Sequence, residues 1–354
     1  MPKQELCLNN FAGSDGEVWT YAKDGREWHR IPRDTCKEGH FYSAEDEHGQ
    51  MDRRYDEWLT RVEDKAASPY KKLVAGGALS GEDRYHFAIF LGAQVARTRS
   101  QRRLAAKSGA WIVQTQLAAT ASHEGAFNTL VRRLQATGLE QLDEAPVREA
   151  VRERLRDMSG YDIAIPKHHI LQMMPQLSRE LAEVFYGMSW SLTHPRSSYF
   201  ITSDNPVNLT VDPRAVHPIY GSHRYLNKTA KVSFPLAPKI ALLMTHDNHL
   251  ADLEFEISMH AVAEQNANQA FHAEQEIYAH LEDERVKRLA QQFRNWRPEV
   301  ELGNIAGSKP LAGVFVPRRW EKRWDNRIKK MAQPQVAPST GTSAAAQSGG
   351  DSRS

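Results

Sequence analysis

Cysteine is scarce in this sequence, which has only Cys7 and Cys36 among its 354 residues. Two cysteines are too few for a disulfide framework, and they cannot form a zinc site made of cysteines alone. Such sparse cysteine is typical of proteins from a reducing compartment, so the composition predicts a cytoplasmic protein.

Long apolar stretches are also missing. No run of the sequence approaches the roughly 20 apolar residues that a transmembrane helix needs. The N-terminus lacks the apolar segment of a secretory signal, so we expect a soluble protein that does not contact membranes. The formal net charge of +2 is too small to indicate a nucleic-acid partner by itself.

The motifs of several large enzyme classes are absent as well. The chain contains no Gly-x-Gly-x-x-Gly, no Walker loop and no Gly-x-Ser-x-Gly. This absence argues against dinucleotide enzymes, P-loop NTPases and α/β-hydrolases. The fifteen histidines include no His-Glu-x-x-His motif. The cofactor therefore stays unknown, and a divalent metal remains an open alternative.

The order of helical and strand patterns predicts an α+β fold. Apolar residues recur at helical spacing from Asp52 to Leu73 and from Arg84 to about Lys107. Short runs with β patterning, separated by Pro, Asp and Asn, follow Ser189. We therefore expect a helical N-terminal half packed with a mostly antiparallel sheet from the C-terminal half.

Local signals refine this outline. Pro69 is expected to end or kink the first long helix, and Ser80 is a candidate N-cap of the second. Arginines near Lys107 would then lie at the C-terminus of that second helix, where the helix dipole favours cations. Residues 261–279 are predicted to form a further helix.

Turn and tail signals complete the organisation. The dipeptide Asp24-Gly25 between two β-patterned runs predicts a hairpin. Pro, Ser, Gly and Ala dominate from Gln333 onward. We therefore expect residues 1–330 to form a single domain and residues 331–354 to form a disordered tail.

Short segments between residues 5 and 280 resemble, in order, the landmarks of a bacterial family known as domain of unknown function 4238. The sharpest match is residues 200–207, Phe-Ile-Thr-Ser-Asp-Asn-Pro-Val. The other matching segments are Leu8–Ala12, Val18–Tyr21, Phe41-Tyr42, Glu63, Gln94–Arg99, Phe234–Pro238, Asn266 and Ile277-Tyr278. The family has no known reaction, so the resemblance implies an organisation and candidate residues but no chemistry.

The sequence departs from this family at its start. Members usually open with a His and a Pro a few residues before the Leu of the first segment, whereas this chain begins Met1-Pro2-Lys3-Gln4 without a His. Either the start codon is assigned too late or this member has lost that His, so no role is transferred from it.

The turn Ser203-Asp204-Asn205-Pro206 follows a predicted strand. Polar residues at the end of a strand are a frequent place for a functional site. Asp204 could serve as a general base or as a metal ligand, with Ser203 beside it. The same residue types also build turns by hydrogen bonding to their own backbone, so a structural role is the alternative.

A second group of candidates comes from the predicted helices. Gln94 and Arg97 lie one helical turn apart, and Glu63 belongs to the preceding helix. Arg97 could bind a phosphate or a carboxylate with two hydrogen bonds, while Gln94 and Asn266 could contact the same substrate. The alternative is an Arg–Glu ion pair that joins the two helices.

Two basic runs could contact an anionic ligand or a nucleic acid. The first is formed by Arg99, Arg102 and Arg103. The second extends from Arg318 to Lys330, where two interleaved tryptophans could stack on bases. The alternative for both runs is an ordinary solvated helix face.

Two hypotheses about function follow. In the first, the protein is a hydrolase for a phosphate-bearing or nucleic-acid substrate, with Asp204, Glu63 and Ser203 as catalytic groups. In the second, it is a non-enzymatic binding or regulatory module whose polar landmarks fix the fold. Landmarks that converge in one open cleft would favour the enzyme, whereas scattered or buried landmarks would favour the module.

Overall fold

Helices fill most of the N-terminal half of the described chain, and most strands follow from Ser189 onward. The computed structural model describes residues 5–35, 44–45, 50–138, 142, 144–158, 160–215, 224–296, 302–303 and 311–312. The chain divides into two units, Met1–Phe315 and Val316–Ser354, and the second lies outside the described residues. The predicted tail at residues 331–354 therefore also lies outside them, whereas the predicted α+β class is confirmed.

The described residues contain nine α-helices. Three of them, α2, α3 and α7, pack together, and α5 and α6 pack on α4. Their bounds are α1 (Glu5–Leu8), α2 (Arg54–Val74), α3 (Gly81–Ala96), α4 (Arg99–Ser122), α5 (Glu124–Gln135), α6 (Ala145–Arg156), α7 (Lys167–Gly187), α8 (Met259–His272) and α9 (Glu284–Gln292).

The strands are short, and their bounds are β1 (Val18–Ala22), β2 (Glu27–Arg30), β3 (Ala44–Glu45), β4 (Met51–Asp52), β5 (Ser189–Pro195), β6 (Thr202–Ser203), β7 (Asn208–Thr210), β8 (Lys231–Ala237), β9 (Ile240–Thr245), β10 (Leu253–Ile257), β11 (Glu276–Ala279), β12 (Leu302–Gly303) and β13 (Leu311–Ala312). A four-stranded sheet has the order β2-β1-β11-β6, and a five-stranded sheet has the order β10-β5-β9-β8-β7. Neighbours in these sheets are antiparallel except for β10 and β5. Two further pairs, β3-β4 and β12-β13, stand apart.

The predicted N-terminal hairpin is confirmed, because β1 pairs with β2 in antiparallel register. Gly25 lies in its turn with a φ of +96°, a conformation that glycine adopts without a steric cost. β1 also pairs with β11, and β11 pairs with β6. The hairpin thus shares a sheet with strands from the far end of the described chain.

The main core lies between the five-stranded sheet and the helices α2, α3 and α7. Tyr70 of α2 is fully buried there, and its ring makes edge contacts with Phe87, Phe90 and Phe234. Its hydroxyl donates a hydrogen bond of 2.7 Å to the carbonyl of Leu236 in β8. Aromatic packing and this bond together hold α2 on the sheet.

The second predicted helix is divided into two. Ser80 caps α3 as predicted, since its side chain accepts a hydrogen bond from the N–H of Asp83. The prediction that the helix continues to Lys107 is wrong, because α3 ends at Ala96 and Thr98 caps the new helix α4. The arginines that follow therefore lie at the N-terminal end of α4, where the helix dipole does not favour cations.

Of the two effects predicted for Pro69, an end of the helix is wrong, because α2 continues to Val74, and a kink stays a prediction. A second local prediction is wrong in part. The helix predicted over residues 261–279 stops at His272, and Glu276–Ala279 form β11 instead. Pairing of β11 with strands on both sides satisfies its backbone hydrogen bonds without a helix.

No helix among the described residues is both long enough and apolar enough to cross a membrane.

Candidate functional site

Asp204 clamps the short loop that connects α8 to β11. Its carboxylate accepts hydrogen bonds from the backbone N–H groups of Glu274, Gln275 and Glu276, at 2.8, 2.7 and 3.2 Å. In return, the backbone N–H of Asp204 donates to the carbonyl of Glu276 at 3.1 Å. We call residues 274–276 the clamped loop. Because both carboxylate oxygens are engaged with it, Asp204 serves here as an anchor for the backbone.

The surroundings of Asp204 perturb its acidity. Burial raises the pKa of Asp204 to about 7, and the nearby carboxylate of Glu276 acts in the same direction. The hydrogen bonds from the backbone of Glu274 and Gln275 lower it and partly oppose this shift. A pKa near neutrality is the one chemical property of Asp204 that suits proton transfer.

Ser203 is fully buried and is engaged within the turn. Its Oγ lies 2.9 Å from both the carbonyl of Asn205 and the Oε1 of Gln269. It also accepts a hydrogen bond of 3.2 Å from the N–H of Asn205. A hydroxyl has one proton to donate and two lone pairs, so this geometry uses most of its capacity inside the protein.

The amide side chains of α8 bind the backbone of the segment that carries this turn. Asn266 accepts from the N–H of Ile201 at 3.1 Å and donates to the carbonyl of Tyr199 at 2.9 Å. Gln269 donates to the carbonyl of Pro206 at 2.8 Å. Gln269 was missed by the sequence analysis, although its position three residues after Asn266 places both amides on one helix face.

The other predicted residues form a separate group between α2 and α3. Arg97 and Glu63 make an ion pair of 3.1 Å, and their side chains are only 2% and 16% exposed. Gln94 of α3, three residues before Arg97, is also buried. Its Oε1 has no hydrogen-bond partner in the described part of the chain. This arrangement matches the alternative in which an Arg–Glu pair joins two helices.

Glu274 connects the Asp204 turn to the start of α4. Its backbone N–H is bound by Asp204, while its carboxylate accepts from the backbone N–H of Ser100 at 2.6 Å and from the guanidinium of Arg103 at 2.8 Å. The side chain of Glu274 is 3% exposed and lies against the start of α4, the helix that follows Arg97 in the sequence. An anionic side chain is favoured at that end of a helix. Sequence reasoning missed Glu274 because its partners are far away along the chain.

The three arginines of the first basic run do not form a fully exposed helix face. Arg99, Arg102 and Arg103 are partly buried at the start of α4, and Arg103 is held by Glu274. The second run, from Arg318 to Lys330, lies outside the described residues.

A polar pocket of about 250 Å³ lies against the clamped loop. Its lining consists of the clamped loop, four hairpin residues (Ala22, Lys23, Asp24 and Arg26) and the pair Arg294 and Asn295. Lys23 is buried and donates to the carbonyls of Phe271 and Trp296 at 3.3 and 3.0 Å, as well as to that of Ala273. Lys23 therefore fixes the wall of the pocket and has little capacity left for a ligand.

The remaining charged groups of the pocket differ in their environment. Arg26 is exposed and binds Asp24 at 2.9 Å. Arg294 is exposed, and no carboxylate of the described residues forms an ion pair with it. Burial raises the pKa of Glu276, although the hydrogen bond from the hydroxyl of Tyr278 lowers it. The hydrogen bond from Arg26 lowers the pKa of Asp24, which lines the same pocket, and the positive charge of Arg294 acts in the same direction. The pocket thus combines exposed guanidinium groups with carboxyl groups of different acidity.

Metal ligands are not grouped in this region. The described part of the chain contains no cluster of three or more His, Cys, Asp or Glu side chains that could hold a metal ion.

Comparison with known proteins identifies one family. Neither the curated proteins nor the solved structures contain a match to this chain. The model of a family described as "Protein of unknown function (DUF4238)" matches residues 5–283. These residues include the hairpin, the ion pair of α2 and α3, the Asp204 turn and the clamped loop. Because the match covers well over half of the sequence, this chain belongs to the DUF4238 family of proteins of unknown function.

Proposed function

We propose that this protein is a ligand-binding or regulatory module whose polar landmarks hold the fold. The observation that supports this proposal is the clamp formed by Asp204, whose carboxylate oxygens accept bonds from three successive backbone N–H groups. A general base needs an oxygen that faces its substrate. Ser203 and Asn266 are likewise bonded within the protein.

The pocket beside the clamped loop is the ligand site in this proposal. Its volume of about 250 Å³ suits a small molecule rather than a polymer. Arg294 offers a guanidinium group, which can bind a carboxylate or a phosphate with two parallel hydrogen bonds. The side chains of Gln275 and Asn295 add neutral donors and acceptors. We therefore propose a small ligand that carries an anionic group.

Charge compensation within the pocket supports an anionic ligand. Glu274 is already paired with Arg103, so its charge is balanced before any ligand arrives. Asp24, which also lines the pocket, is likewise paired with Arg26. A ligand in the pocket would contact the same loop that connects Asp204 to α4, and it would therefore favour one arrangement of that loop.

A hydrolase that acts on a phosphate-bearing or nucleic-acid substrate stays a prediction. One observation favours it, which is the pKa of about 7 at Asp204, since proton transfer at neutral pH is most efficient with such a value. In that case Asp204 would act as the base, and Arg97 would have to leave Glu63 to reach the substrate. Contact of Arg99 and Arg102 with nucleic acid belongs to this second candidate.

A reducing, cytoplasmic compartment is part of the proposal as well. Cys7 is buried as a free thiol, which is the state that such a compartment maintains.

Thermal unfolding of the full chain with small anions tests the binding proposal. The probes are phosphate, citrate and the common nucleotides. A ligand present at 100 times its dissociation constant stabilises the folded state by about 2.7 kcal/mol, which is a clear shift in Tm. We expect such a shift in the wild type, and we expect Arg294→Ala to lose it without a change in the Tm of the unliganded protein.

Arg288→Ala is the matched control, because Arg288 is exposed on α9 and does not line the pocket. This variant should retain the full ligand shift. The binding proposal is wrong if no probe shifts the Tm, or if Arg294→Ala and Arg288→Ala respond alike. Hydrolysis of a probe that disappears in a folded Asp204→Asn variant would support the hydrolase instead.

A further inference from the structure

We propose that a second pocket, between the first turns of α2 and α7, binds the flat ring of a free heteroaromatic molecule such as a purine or pyrimidine nucleoside. This pocket has a volume of about 210 Å³. It shares no lining residue with the pocket beside the clamped loop, so it is a separate site that goes beyond the proposed function.

One wall of this pocket is aromatic. Tyr55 and Trp58 project from the first turns of α2, with ring centroids 5.4 Å apart and ring planes inclined by 19°. Tyr55 belongs to the main core, whereas Trp58 is only partly buried and lines the pocket. The two rings are stacked, so Tyr55 covers one face of the Trp58 indole and a planar ligand would use the other face. A planar ligand can stack on such a face, because every heteroaromatic ring has a π face.

The α7 side of the pocket is aliphatic. Leu171 and Pro175 are separated by four residues, so both lie on the same face of α7. A ring that stacks on Trp58 could contact these two side chains with its other face. An aromatic surface on one helix and an aliphatic surface on the other fit a thin, flat molecule better than a branched chain.

Polar groups also line the pocket. His168 and Gln172 contribute acceptors and donors that suit the nitrogen atoms and amino groups at the edge of a heterocycle. Gln172 is exposed, so its amide is not required by the core. A ring with hydrogen-bonding groups at its edge therefore fits this lining better than a plain hydrocarbon ring does.

The charges favour a free small molecule over a nucleic acid. Arg54 lines the pocket, but Asp52 holds its guanidinium through hydrogen bonds of 3.0 Å to Nε and 2.8 Å to Nη2. This pair has no net charge. Binding of a nucleic-acid strand depends on cations that neutralise successive phosphates, and among the described lining residues Arg54 is the only permanent cation.

Fluorine NMR of the full chain labelled with 5-fluorotryptophan tests this proposal at a single residue. The protein has eight tryptophans, and a Trp58→Phe variant assigns the resonance of Trp58. Adenosine, guanosine and uridine are the probes. We expect at least one of them to shift the Trp58 resonance in a saturable manner, while the resonance of Trp111, assigned in the same way, stays unchanged. If none of the three nucleosides shifts the Trp58 resonance, the proposal is wrong.

Two substitutions separate binding from folding. Trp58→Leu should weaken nucleoside binding about fivefold or more, since stacking on one aromatic side chain is worth about 1 kcal/mol or more per base. Gln172→Leu should also weaken binding, and it leaves the core untouched. Gln176→Leu is the matched control, because Gln176 is exposed one turn further along α7 and does not line the pocket.

Equal affinities for the wild type, Gln172→Leu and Trp58→Leu would overturn the proposal, provided that circular dichroism shows folded variants. A short single-stranded oligonucleotide distinguishes the source of the ring. If the oligonucleotide binds much more tightly than the nucleoside and its affinity falls steeply with salt, the occupant is a nucleic acid and the proposal of a free small molecule is wrong.

Discussion

The carboxylate of Glu274 accepts a hydrogen bond of 2.6 Å from the backbone N–H of Ser100, across 174 residues of sequence. Ser100 lies in the first turn of α4, where backbone N–H groups lack partners within the helix. The backbone of Glu274 is in turn held by Asp204. This contact therefore joins the helical half of the chain to the loop that lines the polar pocket.

Removal of the carboxylate of Glu274 should destabilise the protein strongly. Glu274→Ala leaves the buried backbone N–H of Ser100 without its acceptor, and it removes one partner of the partly exposed guanidinium of Arg103. We expect a loss of about 2–3 kcal/mol in the free energy of unfolding, measured by urea denaturation with an unchanged m value. Glu274→Gln keeps one acceptor oxygen and should cost less.

Glu256→Ala provides the comparison for this variant. Glu256 pairs with Arg196, and both side chains are mostly exposed, at 61% and 73%. Such a pair is worth less than about 1 kcal/mol because water and salt screen it. If the two alanine variants lose equal stability, Glu274 does not connect the two halves in the way that its contacts indicate.

Asp204→Ala should cost at least as much as Glu274→Ala. The backbone N–H groups of Glu274, Gln275 and Glu276 would lose their common acceptor, and an unsatisfied buried donor costs about 1–3 kcal/mol. Hydrogen exchange should show faster exchange at these amides specifically. A variant that keeps their protection would show that other groups can hold the clamped loop.

Features that depend on local sequence could be predicted. The hairpin turn at Gly25 and the cap at Ser80 each need only a few neighbouring residues of the right type, and both are present. The order of helical and strand patterns was sufficient for the α+β class. The end of α3 was missed because a threonine is also compatible with a continuous helix. Only the side-chain hydrogen bond of Thr98 identifies it as the N-cap of α4.

Features that depend on distant partners could not be predicted. The residue types of Ser203 and Asp204 fit a catalytic site and a structural turn equally well. The partners that show the structural role of this turn are Gln269 and Glu274, which are distant in sequence and carry no motif. For Pro69, local preference predicted an end or a kink, but α2 continues to Val74, and the next residue, Tyr70, packs against Phe234 in the core.

The pKa of Asp204 predicts a pH dependence of stability with a definite sign. Burial raises this pKa to about 7 from 3.8, so between about pH 4 and about pH 7 the folded state binds a proton that the unfolded state has lost. The free energy of unfolding should therefore fall as the pH rises through this window. The contribution of Asp204 is fully present below about pH 4 and is lost above about pH 7.

Asp204→Asn removes the titrating group at this position. The difference in unfolding free energy between wild type and Asp204→Asn should therefore change between about pH 5 and about pH 8, with the wild type losing more stability. Urea denaturation at both pH values measures this difference. If it stays constant, the hydrogen bonds from the clamped loop keep Asp204 ionised throughout, and its pKa lies at or below the ordinary value.

Cys7 should be unreactive in the folded protein. Its side chain is 3% exposed, and burial raises its pKa to about 12, although the positive charge of Arg97 acts in the opposite direction. Only the thiolate reacts with alkylating reagents, so at about pH 8 both the low thiolate fraction and the lack of access suppress the reaction.

Peptide mass spectrometry after treatment with iodoacetamide should find Cys7 unmodified under native conditions and fully modified in denaturant. The introduced thiol of Gln176→Cys, at an exposed position of α7, is the reactive reference. If Cys7 reacts as fast as this reference, the N-terminal segment opens readily and the contact between Cys7 and the core does not persist.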